Sequence, residues 1–118
     1  MPKNLYINIL VKEPNKNPKT KRIRNNLEEI QVILKGNFEL LEYDDESFIA
    51  YNYKSNSKCQ VQIGKHILNG TIIVIGNDEV RGDFTTLRKQ QIKEYTKELS
   101  NKDTKIMGVK CKEGINEV

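Results

Sequence analysis

The sequence has no tryptophan, a single histidine, two cysteines and a single alanine among its 118 residues. Cys59 and Cys111 are far apart and form no CxxC motif, so two thiols and one imidazole do not supply the usual four ligands of a structural zinc site. Acid–base or nucleophilic catalysis needs a nucleophile with a base within reach, and no rule of sequence spacing brings His66 next to Cys59. We therefore expect that the protein is not an enzyme and that it holds no metal and no cofactor.

Long apolar runs, a signal-like segment and phosphate-binding glycine motifs are also missing. No stretch approaches the ~18 consecutive apolar residues of a membrane span, and the first residues lack the charged-then-apolar layout of a secretion signal. The seven glycines belong to neither a GxxxxGKS/T nor a GxGxxG motif. These absences predict a soluble, cytoplasmic protein without membrane contact. In a reducing cytosol we interpret both cysteines as ordinary thiols, with a disulfide between them as the alternative.

Branched and aromatic residues recur with a period of two along several short segments, which is typical of strands with one buried face. Leu, Ile, Val and Phe account for 33 of the 118 residues, enough for a chain that folds alone. Residues 71–75 form an unbroken apolar run and are predicted to be the central strand, covered on both faces. The other predicted strands are residues 5–11, 20–24, 38–43, 47–53 and 59–63, with the acidic residues 44–46 as the turn of a hairpin.

Two segments have the spacing of amphipathic helices. In the first, Asn25 or Asn26 is predicted to cap a helix that ends where a left-handed residue suits Gly36. Its predicted buried residues are Leu27, Ile30, Ile33 and Leu34. The second helix is predicted over about residues 86–100, after a loop that contains Gly76, Asn77 and Gly82. Its predicted buried stripe is Ile92, Tyr95 and Leu99, with Leu87 packing at its start.

The order of these segments predicts a single small α+β domain, with a mostly antiparallel sheet of about five to six strands packed against two helices. The sequence contains no internal repeat and no shift of composition that would mark a second domain. We expect the domain to span residues 1–112, with a further edge strand over residues 105–112. Residues 113–118 are predicted to form a flexible C-terminal tail.

Charge is unevenly distributed along the chain. Between Lys12 and Arg24 there are six basic residues and one acidic residue, whereas five acidic residues lie between Glu39 and Glu46. The basic segment, kept extended by its prolines, is suited to neutralising the phosphates of a nucleic acid or nucleotide, or to docking on an acidic protein face. A solvated loop in a lysine-rich chain is the alternative interpretation.

The candidate partner-binding residues are Lys19, Lys21, Arg22, Arg24, Tyr51 and Tyr53. The two tyrosines alternate along one predicted strand, so they are expected to share a face on which bases can stack. Packing in the core or between strands is the alternative for them. The consecutive acids Asp44, Asp45 and Glu46 are more typical of a solvated turn than of a divalent-ion site.

A series of short motifs along the chain is similar to a known family. The motifs are Val-Lys-Glu-Pro at residues 11–14, Ile-x-Asn-x-Leu-Glu at 23–28, a glycine at 36, Phe-Glu at 38–39, Gly-Thr-Ile-Ile-Val-Ile-Gly-Asn-Asp at 70–78, Gly-Asp-Phe-x-x-Leu at 82–87 and Gln-Ile-Lys-Glu-Tyr at 91–95. In this order, over about residues 7–98, they resemble the family catalogued as domain of unknown function 3846. Its members are small proteins found largely in bacteriophages, plasmids and conjugative elements of low-GC Gram-positive bacteria and related hosts. The chain departs from the family pattern at Arg88, where the second helix would have its capping residue.

The resemblance implies an accessory protein of a mobile element and supplies no catalytic residue. We expect a non-enzymatic protein that binds and blocks a host protein or ribonucleoprotein in the bacterial cytoplasm, as an anti-defence factor of the anti-CRISPR or anti-restriction type. One alternative is a module that sequesters a nucleotide or nucleotide signal, which requires a concave pocket where basic side chains converge with an aromatic face. The other is a protein that binds the backbone of a nucleic acid through its basic segment.

Overall fold

Residues 5–14, 16–55, 60–63, 66–78, 80 and 83–100 are described by a computed structural model of the chain. They contain the elements β1 (Tyr6–Lys12), β2 (Lys19–Arg24), α1 (Leu27–Leu34), β3 (Glu39–Asp44), β4 (Ser47–Tyr51), β5 (Gln60–Ile63), β6 (His66–Asn69), β7 (Ile72–Asp78), β8 (Asp83–Thr85) and α2 (Lys89–Leu99). The prediction of an α+β fold with a mostly antiparallel sheet and two helices is confirmed. No described helix is long and apolar enough to cross a lipid bilayer.

β7 lies at the centre of a six-stranded sheet. The strands follow the order β2-β1-β7-β4-β3, every pairing in the sheet is antiparallel, and β8 pairs with β7 on the same edge as β1. Strands therefore cover both edges of β7. Its first four side chains, those of Ile72, Ile73, Val74 and Ile75, have no exposed surface. The prediction of a central strand covered on both faces is confirmed.

The alternation of side chains along the strands divides the core into two clusters, one on each face of the sheet. α1 covers one face, which we call the α1 face; its buried cluster comprises Ile7, Ile9, Val11, Ile23, Ile30, Leu34, Ala50, Ile73 and Ile75. α2 and the β5–β6 hairpin cover the other, the α2 face; its buried cluster comprises Leu10, Ile49, Val61, Ile63, Leu68, Ile72, Val74, Leu87, Tyr95 and Leu99. Each fully buried aliphatic side chain contributes about 1.5–3 kcal/mol, so these clusters are the main stabilising term.

The first helix begins at the predicted cap, but the left-handed residue that follows it comes one position earlier than predicted. Asn26 caps α1, because its Oδ1 accepts a hydrogen bond of 2.9 Å from the N–H of Glu29. At the other end Lys35, rather than Gly36, takes the left-handed conformation, with a φ of 61°, and Gly36 follows with a φ of 149°. The prediction that Leu27 is buried is wrong. Its side chain is 56% exposed, because α1 starts directly after edge strand β2 and its first turn lies at the rim of the sheet.

α2 begins at Lys89, three residues later than predicted. The residues before it are held against β1: the N–H of Leu87 donates to the carbonyl of Asn8 over 3.0 Å, and the N–H of Asn8 donates to Thr86 Oγ1 over 2.8 Å. These hydrogen bonds keep the segment extended until the first helical turn.

The capping of α2 is supplied by a residue inside the helix. The side-chain oxygen of Gln91 accepts a hydrogen bond of 2.8 Å from the N–H of Arg88, which satisfies one backbone donor at the start of the helix. The guanidinium group of Arg88 carries only donors, so it cannot accept a hydrogen bond from the N–H groups of the first turn. Gln91 is buried together with the predicted stripe residues Tyr95 and Leu99, whereas Ile92 is half-buried beside them.

The sequence pattern misses β6, β8 and the end of β7. β6 pairs with β5 as a separate two-stranded sheet. β7 continues through Gly76 and Asn77, which the sequence predicts to be a loop. Gly76 lies between Ser47 of β4 and Thr85 of β8, and a Cβ atom on it would come within 2.5 Å of the Thr85 carbonyl oxygen. The glycine therefore permits the close approach of β8 instead of making a turn.

β4 ends at Tyr51, so the predicted extension of this strand to residue 53 is wrong. The chain instead turns at residues 52–55, where the N–H of Ser55 donates to the carbonyl of Asn52 over 3.0 Å. The two cysteines, the predicted strand over residues 105–112 and the predicted tail over residues 113–118 lie outside the described residues.

Candidate functional site

The basic residues predicted for partner binding lie in the edge strand β2, which begins at Lys19, one residue before the predicted strand. β2 pairs with β1 on one side, and within the described residues its other edge is open. Lys12 is not part of this surface, because it is buried at the end of β1 and its Nζ donates to the carbonyl of Glu13 over 2.9 Å. Lys16 forms an ion pair with Glu13 at 3.1 Å. The exposed cations of β2 are Lys19, Lys21, Arg22 and Arg24, which we call the cationic edge.

Strand geometry divides the cationic edge into two pairs. Lys19 and Lys21 lie on the same side of β2 as the buried Ile23, whose side chain belongs to the α1 face. Arg22 and Arg24 alternate with them and lie on the α2 face. The four cations thus flank the open edge, two on each side, and do not form a single patch.

Tyr6 holds the two arginines together on the α2 face. Its ring is 45% exposed, and the guanidinium carbons of Arg22 and Arg24 lie 5.2 and 5.9 Å from the ring centroid. Each cation–π contact of this kind contributes about 0.5–1 kcal/mol at an exposed site. Tyr6 is not among the binding residues predicted from the sequence. The one sequence signal for it is its alternation with the buried Ile7, because its position beside the arginines follows from the pairing of β1 with β2.

The charge of the cationic edge is not neutralised within the described part of the chain. β2 contains no acidic residue, and none of its four exposed cations forms an ion pair with a described carboxylate. Edge strands often carry lysines because like charges discourage pairing with the same edge of another copy. The like charges along the open edge therefore disfavour pairing with the same edge of a second copy.

Tyr51 and Tyr53 do not share a strand face. Tyr51 ends β4, and its hydroxyl donates to Glu39 Oε1 over 3.3 Å; burial, and then the nearby carboxylate, raises the pKa of Tyr51. Tyr53 lies in the following turn, 48% exposed, with Lys54 Nζ 5.9 Å from its ring centroid. β4 is three strands away from β2, which is about 14 Å at the usual strand spacing. The structure therefore does not bring these tyrosines together with the four cations.

The acidic hairpin turn at residues 44–46 contacts α2. The carboxylate of Asp44 accepts hydrogen bonds from the Tyr95 hydroxyl at 2.6 Å and from Ser47 Oγ at 2.8 Å. It also accepts one from the N–H of Glu46 at 2.8 Å. Burial alone would raise the pKa of the Asp44 carboxyl, but these hydrogen bonds outweigh burial and hold the pKa below its usual value. Glu46 forms an ion pair with Arg88 at 2.5 Å.

A second tyrosine extends this contact along α2. The ring of Tyr43 packs against that of Tyr95, with centroids 5.1 Å apart and planes inclined by 60°, and the Tyr43 hydroxyl donates to Glu98. Burial, followed by the hydrogen bond and the charge of Glu98, raises the pKa of Tyr43. Burial, followed by the hydrogen bond to Asp44, raises the pKa of Tyr95. Among the described residues, no three His, Cys, Asp or Glu side chains are grouped as metal ligands.

Two clefts open at opposite ends of the sheet. The first, of about 410 Å³, lies between the end of α1 and the turn at residues 52–55; its polar lining residues include Lys35, Asn52, Lys54, Ser55 and Thr71. The second, of about 360 Å³, lies beside the start of α2; its charged lining residues are Asp45, Glu46, Asp78 and Arg88. Neither cleft is evident from the sequence, because the walls come from the ends of elements that are distant in sequence.

The comparisons with known proteins identify the family. A family model described as domain of unknown function (DUF3846) matches residues 7–100. The chain belongs to the DUF3846 family. No curated protein and no solved structure matches it. The DUF3846 match begins in β1 and ends just after α2, so it covers the cationic edge, both helices and both clefts.

Proposed function

We propose that this DUF3846 protein is a non-enzymatic binding protein that blocks an acidic host target through its cationic edge. The observation that carries the proposal is an open strand edge with two cations on either side, none of them paired with a described carboxylate. An extended acidic segment of the target adds to β2 as a further strand. Its backbone pairs with the open edge, while its carboxylates meet the lysines on the α1 face and the arginines on the α2 face.

The two arginines are the stronger pair in this arrangement. A guanidinium group pairs with a carboxylate through two parallel hydrogen bonds, whereas an ammonium group acts as a point charge. Tyr6 also holds Arg22 and Arg24 in place before the partner arrives, which lowers the entropy lost on binding. We therefore expect the arginine pair to contribute more affinity than the lysine pair.

The same geometry favours a protein over a nucleic acid. A nucleic acid strand lying on one face of the sheet reaches only one of the two pairs of cations. The nearest aromatic ring, that of Tyr6, is already engaged by two guanidinium groups and is a poor stacking platform for a base. A peptide strand projects its side chains to both sides and reaches all four cations.

The blocking role rests on the setting that the family resemblance implies. Small non-catalytic proteins of phages and plasmids frequently bind and block a host machine, and machines that attack invading DNA are frequent targets. We therefore propose a restriction enzyme or a CRISPR ribonucleoprotein as the target class. Stoichiometric blocking depends on affinity and requires no catalytic group.

A designed peptide tests strand addition. The probe is a short labelled peptide that repeats Glu-Glu-Thr-Thr, so that glutamates lie on both faces of the extended strand. The control is the same peptide N-methylated along both edges of its backbone. By fluorescence anisotropy we expect saturable binding of the unmodified peptide and at least about tenfold weaker binding of the methylated one, because methylation removes main-chain donors and leaves the charge. Equal affinities for the two peptides would contradict strand addition.

Charge-reversal variants test which cations bind. We expect the peptide affinity to fall at least about tenfold in R22E/R24E and less in K19E/K21E. The matched control K89E/K93E makes the same charge change at exposed positions of α2 and should retain the affinity within about twofold. Single-stranded DNA is the competing probe. Tight DNA binding would support the nucleic-acid alternative instead if the logarithm of the association constant falls with the logarithm of the salt concentration with a slope of about −3, as expected for four phosphate contacts.

The anti-defence role is tested in a bacterial host that carries a defined restriction or CRISPR system. We expect expression of the protein to raise the plating efficiency of a sensitive phage, R22E/R24E to abolish this gain, and K89E/K93E to retain it. No gain across a panel of such systems would contradict the anti-defence role, while the peptide titration decides separately on the binding surface.

A further inference from the structure

The cleft of about 410 Å³ is formed where several segments end at one rim of the sheet. Pro14 follows β1, Lys35 follows α1, the turn at residues 52–55 follows β4, and Thr71 precedes β7. The volume lies within the range of about 300–1,000 Å³ that is typical of small-molecule sites. We call it the lysine cleft, because Lys35 and Lys54 both line it.

Asn52 fixes the two lysines relative to one another. Its Nδ2 donates to the carbonyl of Leu34 over 2.9 Å and to that of Lys35 over 3.5 Å, and its Oδ1 accepts from the N–H of Lys54 over 2.9 Å. The side chain thus ties the end of α1 to the turn after β4. Gly36 permits this contact, since a Cβ atom there would lie 3.2 Å from Asn52 Nδ2.

Lys35 has a left-handed backbone, which residues other than glycine and asparagine rarely adopt. It is the sole non-glycine residue with a positive φ among those described. A lysine near the C-terminus of α1 interacts favourably with the helix dipole. This preference does not explain why Lys35 itself has the left-handed backbone, because a glycine, which adopts that conformation without strain, is the next residue. An unfavourable conformation kept at a cleft points to a role for the side chain that it places there.

The lysine cleft is positively charged. No Asp or Glu is among its described lining residues, and neither lysine is ion-paired with a described carboxylate. The second cleft has the opposite character, with three acidic residues against one arginine. An anion is therefore the ligand class that the lysine cleft attracts.

The wall formed by Pro14, Ile33 and Leu34 is apolar. A bare phosphate or sulfate ion leaves this wall in contact with water, whereas a ligand with a flat ring beside its anionic group covers it. We propose that the lysine cleft binds a nucleoside phosphate, with the phosphate between Lys35 and Lys54 and the base against the apolar wall. This site is a different surface from the cationic edge, so the proposal stands independently of the proposed function.

Three kinds of probe separate the parts of the ligand. The four common nucleoside monophosphates carry both ring and phosphate, adenosine carries the ring alone, and inorganic phosphate carries the anion alone. By isothermal titration calorimetry we expect saturable binding of at least one monophosphate, and at least about tenfold weaker binding of adenosine and of inorganic phosphate. Absence of saturable binding for all four monophosphates overturns the proposal. Equal affinity for a monophosphate and for inorganic phosphate overturns the assignment of a nucleoside.

Two substitutions test the location. Lys35→Asn removes the charge and keeps a residue type that tolerates the left-handed conformation, and Lys54→Gln removes the charge from the turn. Each should weaken monophosphate binding by at least about tenfold, while the thermal unfolding midpoint stays close to that of the wild type. Lys89→Gln, at an exposed position of α2, is the matched control and should bind as the wild type does.

The R22E/R24E variant separates the two proposals. It should bind the monophosphate with unchanged affinity, even though it loses the acidic peptide. Monophosphate binding that survives both Lys35→Asn and Lys54→Gln overturns the assignment to this cleft.

Discussion

Gly76 is buried in the interior of β7, where glycine ordinarily weakens a strand. Here the missing side chain is an advantage, because Gly76 pairs with Ser47 on one side and Thr85 on the other. A Cβ atom would lie 2.5 Å from the carbonyl oxygen of Thr85 and 2.9 Å from its Cγ2. β8 can therefore approach β7 only as long as residue 76 has no side chain.

We predict that Gly76→Ala lowers the free energy of unfolding by about 1–3 kcal/mol, as expected for overpacking at a buried position. A urea titration measures this loss. The matched control is Asn77→Ala at the neighbouring half-buried position, which keeps the backbone hydrogen bond to the carbonyl of Glu46 and should cost less. A loss no larger than that of the control would mean that β8 does not pack against β7.

At the scale of elements, α2 is attached to the β3–β4 hairpin by polar contacts along its length. Tyr95 donates to Asp44 in the middle of the helix, and Tyr43 donates to Glu98 near its end. The apolar stripe of the helix supplies most of the docking energy. The polar contacts fix the rotation of the helix about its own axis relative to the hairpin.

We predict that Tyr95→Phe lowers the free energy of unfolding at neutral pH by about 1–2 kcal/mol, because the carboxylate of Asp44 loses a hydroxyl donor. The pKa of Asp44 should rise, since the Tyr95 hydrogen bond is the largest of those that lower it. Stability linked to a lowered carboxyl pKa is present above the unfolded-state value of about 4 and is lost as the pH falls through the folded-state pKa. The difference between wild type and variant should therefore shrink below about pH 4.

Urea titrations at several pH values and an NMR titration of the Asp44 side chain measure these two effects. Tyr53→Phe is the matched control, because it removes a hydroxyl at an exposed position and should change neither quantity. A stability difference that stays constant from neutral pH down to about pH 3 would contradict the linkage.

Local patterns are sufficient for the elements that are long or regular. The cap at Asn26 and the buried stripe of Tyr95 and Leu99 follow from the spacing of residues within one helix. β6 and β8 have four and three residues, and strands as short as these are recognised only through the strand that pairs with them. Gly76 is ambiguous for a related reason: a glycine suits both a turn and a close approach, and only the position of Thr85 distinguishes them.

The candidate site is less predictable than the fold. The four cations of β2 are evident from composition, but their division into two pairs depends on which side of the strand is buried, and Ile23 alone marks that side. The lysine cleft depends on side-chain hydrogen bonds from Asn52 to carbonyls 17 and 18 positions earlier in the sequence. No local pattern encodes such a contact.

For the molecule as a whole, three of the five tyrosines have a raised pKa in the folded protein. Burial is the largest cause of the raised pKa of Tyr43, Tyr51 and Tyr95, and a neighbouring carboxylate adds to it in each case. The tyrosines of an unfolded chain have a pKa of about 10. Stability linked to a raised tyrosine pKa is intact below that pH and is lost as the pH rises through the folded-state values.

We predict that the protein unfolds at alkaline pH in a transition in which the absorbance of these three tyrosinates appears together with the loss of circular dichroism. The control is Y6F/Y53F, which lacks the two exposed tyrosines and should show the same coupled transition. Complete tyrosine ionisation while the folded spectrum persists would contradict the raised pKa values of these side chains.

The position of β7 at the centre of the sheet also governs how the protein is made. β1 pairs with β7 through Leu10 and Val74, which are 64 residues apart in the sequence. At a translation rate of about 5–20 residues per second, β1 is synthesised about 3–13 s before its partner.

Before β7 is synthesised, the strands of the sheet that already have a partner in the chain are β1 with β2 and β3 with β4, which form two hairpins with no strand in common. Until β7 is made, one edge of β1 and one edge of β4 have no partner strand. Unpaired edges of apolar strands tend to associate with other chains, and chaperones bind such surfaces and prevent this association. The strands on either side of β7 are thus synthesised before β7 itself, and a chain that stops before residue 72 lacks the strand that joins β1 to β4.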